Sequence, residues 1–314
     1  MDTSTTTGPA RRKVLWGAGG TLAAALLATG TTAGPAAAAP GAAPATPGAA
    51  RALSRRLRAL EREYDARLGL AYLEPDRGIA FGYGQTHRFA MCSTFKAYAA
   101  AALLQGRDAG RTDLHSPVVV GADGIVVNSP ESTEFAGYTM PLRWCCKVAL
   151  THSDNTAGNV MLKHLGGPGA VTGFARRIGD AQTRLDRWEP ELNNAVPGDL
   201  RDTSTPQGLA TGMRALLLGG ALSVPARAEL VVWLDANVTA PRIRGGLPEG
   251  WTAATKTGAG DFGTVNDAGL VRGPGNRQGI LVVMSNREHR GRDATGSNAV
   301  VAAAARAVLS ARWG

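Results

Sequence analysis

Hydrophobic periodicity switches twice along this chain, and the two switches restrict its architecture more than any other feature. Two strand-like runs, Leu68 to Leu73 and Ile79 to Tyr83, flank Glu74-Pro75-Asp76-Arg77-Gly78, which reads as a hairpin turn. The middle of the chain then takes helical spacing over Ser93 to Leu104, Pro141 to Thr151, Thr156 to Leu165, Gly169 to Ile178 and Pro206 to Leu217. Strand character returns in Trp251 to Thr257, Thr264 to Val271 and Gly279 to Ser285. Helical patterns close both ends: Arg51 to Ala66, with leucines at 53, 57 and 60, and the Ala/Val-rich Ser297 to Ala311. Strands contributed by the two ends of the chain predict one α+β sheet with helices against it. The helical middle predicts an inserted lobe. Residues 51–90 and 236–314 form the expected sheet lobe and 91–235 the helical lobe, with a site in the cleft between them.

The chain has 314 residues, 44% hydrophobic and 19% charged, enough to bury a large core. A formal charge of +9 invites a nucleic-acid reading, but the arginines are scattered, aromatics are 5%, and no basic stretch interleaves with stacking residues. No nucleic-acid partner is expected. At the N-terminus Arg11-Arg12-Lys13 precedes the apolar run Val14 to Leu27, and Ala36 to Ala39 offers small-residue cleavage sites. Residues 1–39 therefore read as an export signal, the paired arginines pointing to the twin-arginine route with a Sec signal as the alternative. The run is short and ends at Gly34-Pro35, which argues against a membrane anchor and leaves no integral membrane segment in the mature form. Residues 40–50, rich in Pro, Ala and Gly, read as a flexible tether before the domain at 51–314. The expected destination is outside the cytoplasm, secreted or periplasmic. Cys92, Cys145 and Cys146 allow at most one ordinary disulfide, and none is expected inside the fold.

Three short motifs carry chemistry. In Ser93-Thr94-Phe95-Lys96 the serine and lysine are three apart at a helix start, so the amine can reach the hydroxyl, and the helix's first N–H groups favour an oxyanion. Taken alone, the pair reads equally well as a serine cap followed by a solvated lysine. His152-Ser153-Asp154-Asn155 contains a false triad, because neighbouring residues point in different directions. It reads either as a cap of the helix beginning at Thr156 or as a proton-relaying Ser153 beside a substrate-binding Asn155. Lys256-Thr257-Gly258 ends a strand, where the glycine lets substrate approach the backbone. Gly258 to Gly263 also spells G-x-G-x-x-G, but a strand follows it instead of a helix, so no dinucleotide cofactor is expected. His87, His115, His164 and His289 show no zinc spacing, and neither a metal nor any other cofactor is expected.

With Ser-x-x-Lys, Ser-Asp-Asn and Lys-Thr-Gly in this order, the chain resembles the serine penicillin-recognising enzymes, and Arg187-Trp188-Glu189-Pro190-Glu191-Leu192-Asn193 resembles the deacylation loop of class A β-lactamases. The resemblance implies a two-lobed fold with an antiparallel sheet, small-molecule β-lactam substrates, and a monomer. It also implies roles. Ser93 would be the nucleophile, Lys96 or Glu189 the base that activates it, and Ser153 the relay to the leaving nitrogen. Ser93 and Ala259 would supply the oxyanion N–H groups, with Glu189 and Asn193 driving deacylation. Asn155, Lys256, Thr257, Gly258 and an arginine would hold substrate, and Arg242 in Pro241-Arg242-Ile243-Arg244 fits better than Arg244 or a residue near Asn266. The familiar cis bond falls at Glu189-Pro190, and the loop pin at Arg187 and Asp202. Asn128 stands where an aromatic wall is common. Gly260 and Ala100 stand where the family's disulfide partners of Cys92 and Cys146 would be. The other readings are a D-Ala-D-Ala peptidase and a β-lactam sensor that stays acylated; both lack the Glu189 and Asn193 pair.

Overall fold

The computed structural model describes residues 47–313. The export signal and the tether up to residue 46 lie outside the described residues. Helix α1 (Pro47–Tyr64) starts four residues before the expected boundary, so the end of the expected tether is helical instead. Leu53, Leu57 and Leu60 form its buried stripe. Strands β1 (Arg67–Glu74) and β2 (Ile79–Tyr83) make the predicted hairpin, turned by a 3-10 segment at Pro75–Arg77 and a left-handed Gly78. After the short β3 (Phe89–Ala90), a 3-10 turn at Cys92–Thr94 leads into α2 (Phe95–Asp108).

The middle of the chain is mostly helical. It runs through β4 (Pro117–Val119), α3 (Pro130–Glu134), β5 (Thr139–Pro141), α4 (Leu142–Thr151), α5 (Asn155–Leu165) and α6 (Pro168–Arg177). Next come β6 (Thr203–Ser204), α7 (Pro206–Leu217), α8 (Val224–Asp235) and the single-turn α9 (Arg242–Gly245). The chain ends in β7 (Thr252–Gly260), β8 (Thr264–Gly273), β9 (Arg277–Asn286) and α10 (Asn298–Leu309).

The main sheet has five strands in the order β2-β1-β9-β8-β7, every neighbouring pair antiparallel. Its central strand shows why so many apolar residues occur in a row. In β9, Ile280, Val282 and Met284 enter the core shared with the helical lobe, while Leu281 and Val283 enter the core beneath α1 and α10. Both faces are covered, so alternation gives way to a continuous apolar run. Although expected in the helical lobe, α7 packs directly on β1, β8 and β9. It joins the lobes. Among the described residues no helix is long and apolar enough to cross a membrane.

Candidate active site

The catalytic candidates come from several segments gathered around the edge strand β7. Gly258 brings that strand against the turn carrying Ser93: a Cβ there would lie 2.7 Å from the Met91 carbonyl oxygen. The sequence suggested that this glycine makes room for substrate. The structure shows that it first makes room for the protein's own backbone. Ser93 lies in the 3-10 turn and not yet in the α-helix, with Cys92 before it in left-handed backbone at φ 47°. Ser153 is left-handed too, at φ 61°. Such conformations cost about 1–3 kcal/mol each and are retained where surrounding contacts fix them.

Lys96 is fully buried, and its Nζ lies 2.9 Å from Ser93 Oγ, 2.7 Å from Asn155 Oδ1, 2.8 Å from the Ser153 carbonyl and 3.0 Å from Glu189 Oε1. An ammonium has three hydrogens for these four oxygens. At most three of the four can be direct donations, and a neutral amine, with two hydrogens and one lone pair, would accept from the Ser93 hydroxyl and donate to two of the other three. Burial lowers the Lys96 pKa, and the Glu189 carboxylate opposes that shift without cancelling it. Glu189 Oε1 lies 3.3 Å from Ser93 Oγ, while Oε2 accepts a 2.5 Å hydrogen bond from Asn193 Nδ2. Asn193 Oδ1 is buried beside it with no hydrogen-bond partner among the described residues, leaving an acceptor next to the carboxylate.

On the opposite wall Lys256 Nζ donates to Ser153 Oγ at 2.9 Å and to the Thr257 carbonyl at 2.9 Å. Burial lowers its pKa strongly, and the charges of Lys96 and Arg242 add to the effect. His152 lines the cleft, but neither its side chain nor that of Asp154 hydrogen-bonds to Ser153 or Ser93. His152 Nδ1 pairs with Thr151 Oγ1, and the buried Asp154 caps α5 through the Ala157 N–H and binds Ser132. Asn155 Nδ2 donates to the Val127 carbonyl, so its amide is fixed at both ends.

The cleft, about 710 Å³, is lined by Ser93, Ser153, Asn155, Asn193, Thr257 and Ala259 among others, with Arg242 at its edge. The exposed Ala259 and the nucleophile thus face the same space. Arg242 reaches it differently from the expected fork. Its Nη1 donates to the carbonyls of Gly258 and Asn266 at 2.5 and 2.7 Å, and its Nε donates to Asn298 Oδ1 at 2.7 Å. Only Nη2 remains for a ligand. Arg244 is spent on the carbonyls of Leu234, Asp235, Asn237 and Ala253, and Asn266 Nδ2 donates to the Ala90 carbonyl.

The loop that carries Glu189 is held by contacts of two kinds. Asp202 accepts from the backbone of Asp186 and Arg187 and from Arg187 Nε at 2.5 Å, and the bond from Glu189 to Pro190 is cis. Asn159, which the sequence reading overlooked, bonds both main-chain groups of Glu189, accepting from its N–H and donating to its C=O at 2.9 Å each. The available signal was spacing: Asn159 follows Asn155 by four on α5, one turn along the same face. Thr239 was also missed; its hydroxyl lies 2.7 Å from that of Thr257. Cys92, Cys145 and Cys146 are all free and buried. A side chain at Gly260 would meet Cys92 Sγ and the Asn193 carbonyl, so close packing occupies the place of a disulfide.

Residues 52–311 match the β-lactamase enzyme family. The chain belongs to that family, in class A. A β-lactamase of Streptomyces fradiae is 42% identical over 315 residues, covering 98% of both chains. One from Amycolatopsis lactamdurans is 42% identical over 250 residues, 79% of this chain and 82% of the relative. Among solved structures, the β-lactamase of Desulfarculus baarsii is 42% identical with a TM-score of 0.80 over 83% of this chain and 97% of its own. A class A β-lactamase reconstructed as the last common ancestor of Gram-negative bacteria is 44% identical with a TM-score of 0.78, covering 82% and 98%. Membership makes the chain a serine hydrolase of the β-lactam amide, and the fold is that of class A. Among the described residues no cluster of His, Cys, Asp or Glu could hold a metal ion.

Proposed function

We propose that Ser93 forms the acyl-enzyme, that Glu189 with Asn193 releases it, and that penicillins are the principal substrates. In acylation Ser93 Oγ bonds to the lactam carbonyl carbon and its proton passes to Lys96 or Glu189. Lys96 is nearer the hydroxyl and itself touches Glu189, so the two act as one base. The tetrahedral oxyanion is held by the N–H groups of Ser93 and Ala259. As the C–N bond breaks, Ser153 gives its proton to the nitrogen and is recharged through Lys256 or Lys96. In deacylation Glu189 removes a proton from water held against Asn193, hydroxide adds to the ester carbonyl, and Ser93 leaves as its alcohol. The substrate carboxylate is received by Thr257, Ser153 and Arg242 Nη2, with Lys256 attracting it by charge.

One observation supports this reading above the others. Glu189 reaches the nucleophile with one oxygen while Asn193 grips the other. Glu189→Ala keeps Lys96 as a base for acylation but has none for deacylation, so it is expected to acylate, if more slowly, and then stall. Intact mass should show a stable penicilloyl adduct on Ser93, and nitrocefin turnover should fall by about 100- to 10,000-fold, the usual contribution of a general base. Undiminished turnover by this variant would reject the assignment. The same reading has the mature protein monomeric and exported through a signal at residues 1–39, and mass spectrometry and light scattering of the extracellular product test both parts.

A further inference from the structure

We infer that the groove where the C-terminal end of α7 meets the outer face of α8 and the far ends of β8 and β9 is a binding site for a small amphipathic anion, a carboxylate or sulfonate on an apolar body. The groove encloses about 530 Å³, within the range of ligand pockets, and shares no lining residue with the catalytic cleft. Along β8, Asn266 pairs with Gly258 of the catalytic strand, while Leu270 and Arg272 line the groove four and six residues further on. At about 3.3 Å per residue that places the groove roughly 13–20 Å along the sheet from the catalytic cleft. It is a separate place.

Its chemistry is divided. Leu217, Leu218, Val231 and Leu270 supply apolar surface, and Val224, 71% exposed, stands at the mouth. Three guanidiniums converge on this surface with donors to spare. The half-buried Arg214 has no side-chain hydrogen bond or ion pair among the described residues. Arg227 uses only Nη1, on the Gly219 carbonyl. Arg272 commits Nη2 to Asp235, and its buried Nε finds no acceptor among the described residues. Asp235, outside the lining, balances Arg272, and the lining itself offers one carboxylate, the exposed Asp76, against Arg214 and Arg227. Arg214 and Arg227, half-buried and bonded to no carboxylate among the described residues, favour an anion that brings its own two or three acceptor oxygens, while Arg272 adds its Nε beside them. The apolar surface beside them favours a hydrocarbon or aryl body over inorganic phosphate.

Titration of the purified, isotope-labelled protein with naphthalenesulfonate, followed by amide chemical shifts, tests this. Saturable shifts are expected at Leu218, Gly219, Ala228 and Val231. The double variant Arg214→Ala, Arg227→Ala should bind at least tenfold more weakly while its nitrocefin kcat/KM, which also reports folding, stays within twofold. A parallel titration with decanoate shows whether an alkyl body fits as well as an aryl one, and saturation by either at these amides supports the site. Shifts confined to the cleft around Ser93 and Thr257, no saturation by either probe, or equal affinity in the double variant would overturn it.

Discussion

Arg242 and Arg244 stand two residues apart on α9 and face opposite tasks. Arg244 closes the end of α8 by donating to the carbonyls of Leu234 and Asp235, and it also binds those of Asn237 and Ala253. Arg242 turns to the cleft and keeps Nη2 free. Arg242→Ala should therefore raise KM for penicillins by about 10- to 100-fold, the worth of one charge-assisted hydrogen bond. Arg244→Ala should chiefly lower Tm. Steady-state kinetics beside thermal melts separate the two, and a larger KM change at Arg244 would move the carboxylate site. A second residue-scale expectation concerns pH. Burial and two neighbouring cations lower the Lys256 pKa, so its charge is lost as pH rises through that lowered value. If the charge attracts the substrate carboxylate, kcat/KM falls on the alkaline side with the same midpoint. Lys256→Arg keeps its charge throughout and should move that limb to higher pH; an unmoved limb would assign it to another group.

Among the elements, the loop carrying Glu189 has the least regular structure and the most polar fastening. Asp202 is fully buried and takes three bonds from Asp186 and Arg187, while the Arg187 side chain is 18% exposed. Arg187→Ala strands one carboxylate oxygen in the interior. Losing one partner of a buried pair costs about 3–5 kcal/mol, and partial solvent access favours the lower end. At about 2–4 °C per kcal/mol for a chain of this size, a melt should show Tm lower by about 6–12 °C. Deacylation should slow more than acylation, since Glu189 and not Ser93 rides on the loop. An intact Tm would mean that Asn159 alone fixes Glu189. This loop also shows what a sequence does and does not disclose. The motif residues were legible because each is a distinctive residue type at a distinctive spacing, whereas the Arg187 and Asp202 pair was legible only through the resemblance to class A β-lactamases. Asn159 was not, because a clamp on main-chain groups looks like any asparagine on a helix. Helix α8 was missed for another reason. It leaves Val224 and Val232 exposed while burying Leu230, Trp233 and Leu234, so its apolar residues mark no single face. Its sharper signal was local: Ser223 caps the Ala226 N–H, with Pro225 in the first turn.

At the scale of the whole molecule, the two cores meet through the sheet and no covalent tie links the described parts. The chain's three cysteines are buried and unpaired, so its stability rests on packing and hydrogen bonds. Burial pushes the Cys145 thiol up to about 12, and it raises Cys92 and Cys146 as well. Disulfide-forming reagents need a thiolate and access, and the native state offers neither. Ellman's reagent should therefore label none of the three thiols over minutes in buffer and all three in concentrated guanidinium chloride. Slow labelling under native conditions would then report local opening, because Cys145 and Cys146 lie within the shared core and Cys92 is fully buried behind the nucleophile. Dithiothreitol should leave Tm unchanged, because all three thiols are free and there is no disulfide for it to reduce. A reductant-sensitive Tm, or one thiol reacting at once in the native enzyme, would mean that Cys92 behind the nucleophile or the adjacent pair on α4 is held open in solution, and the packing argument would fail at that site.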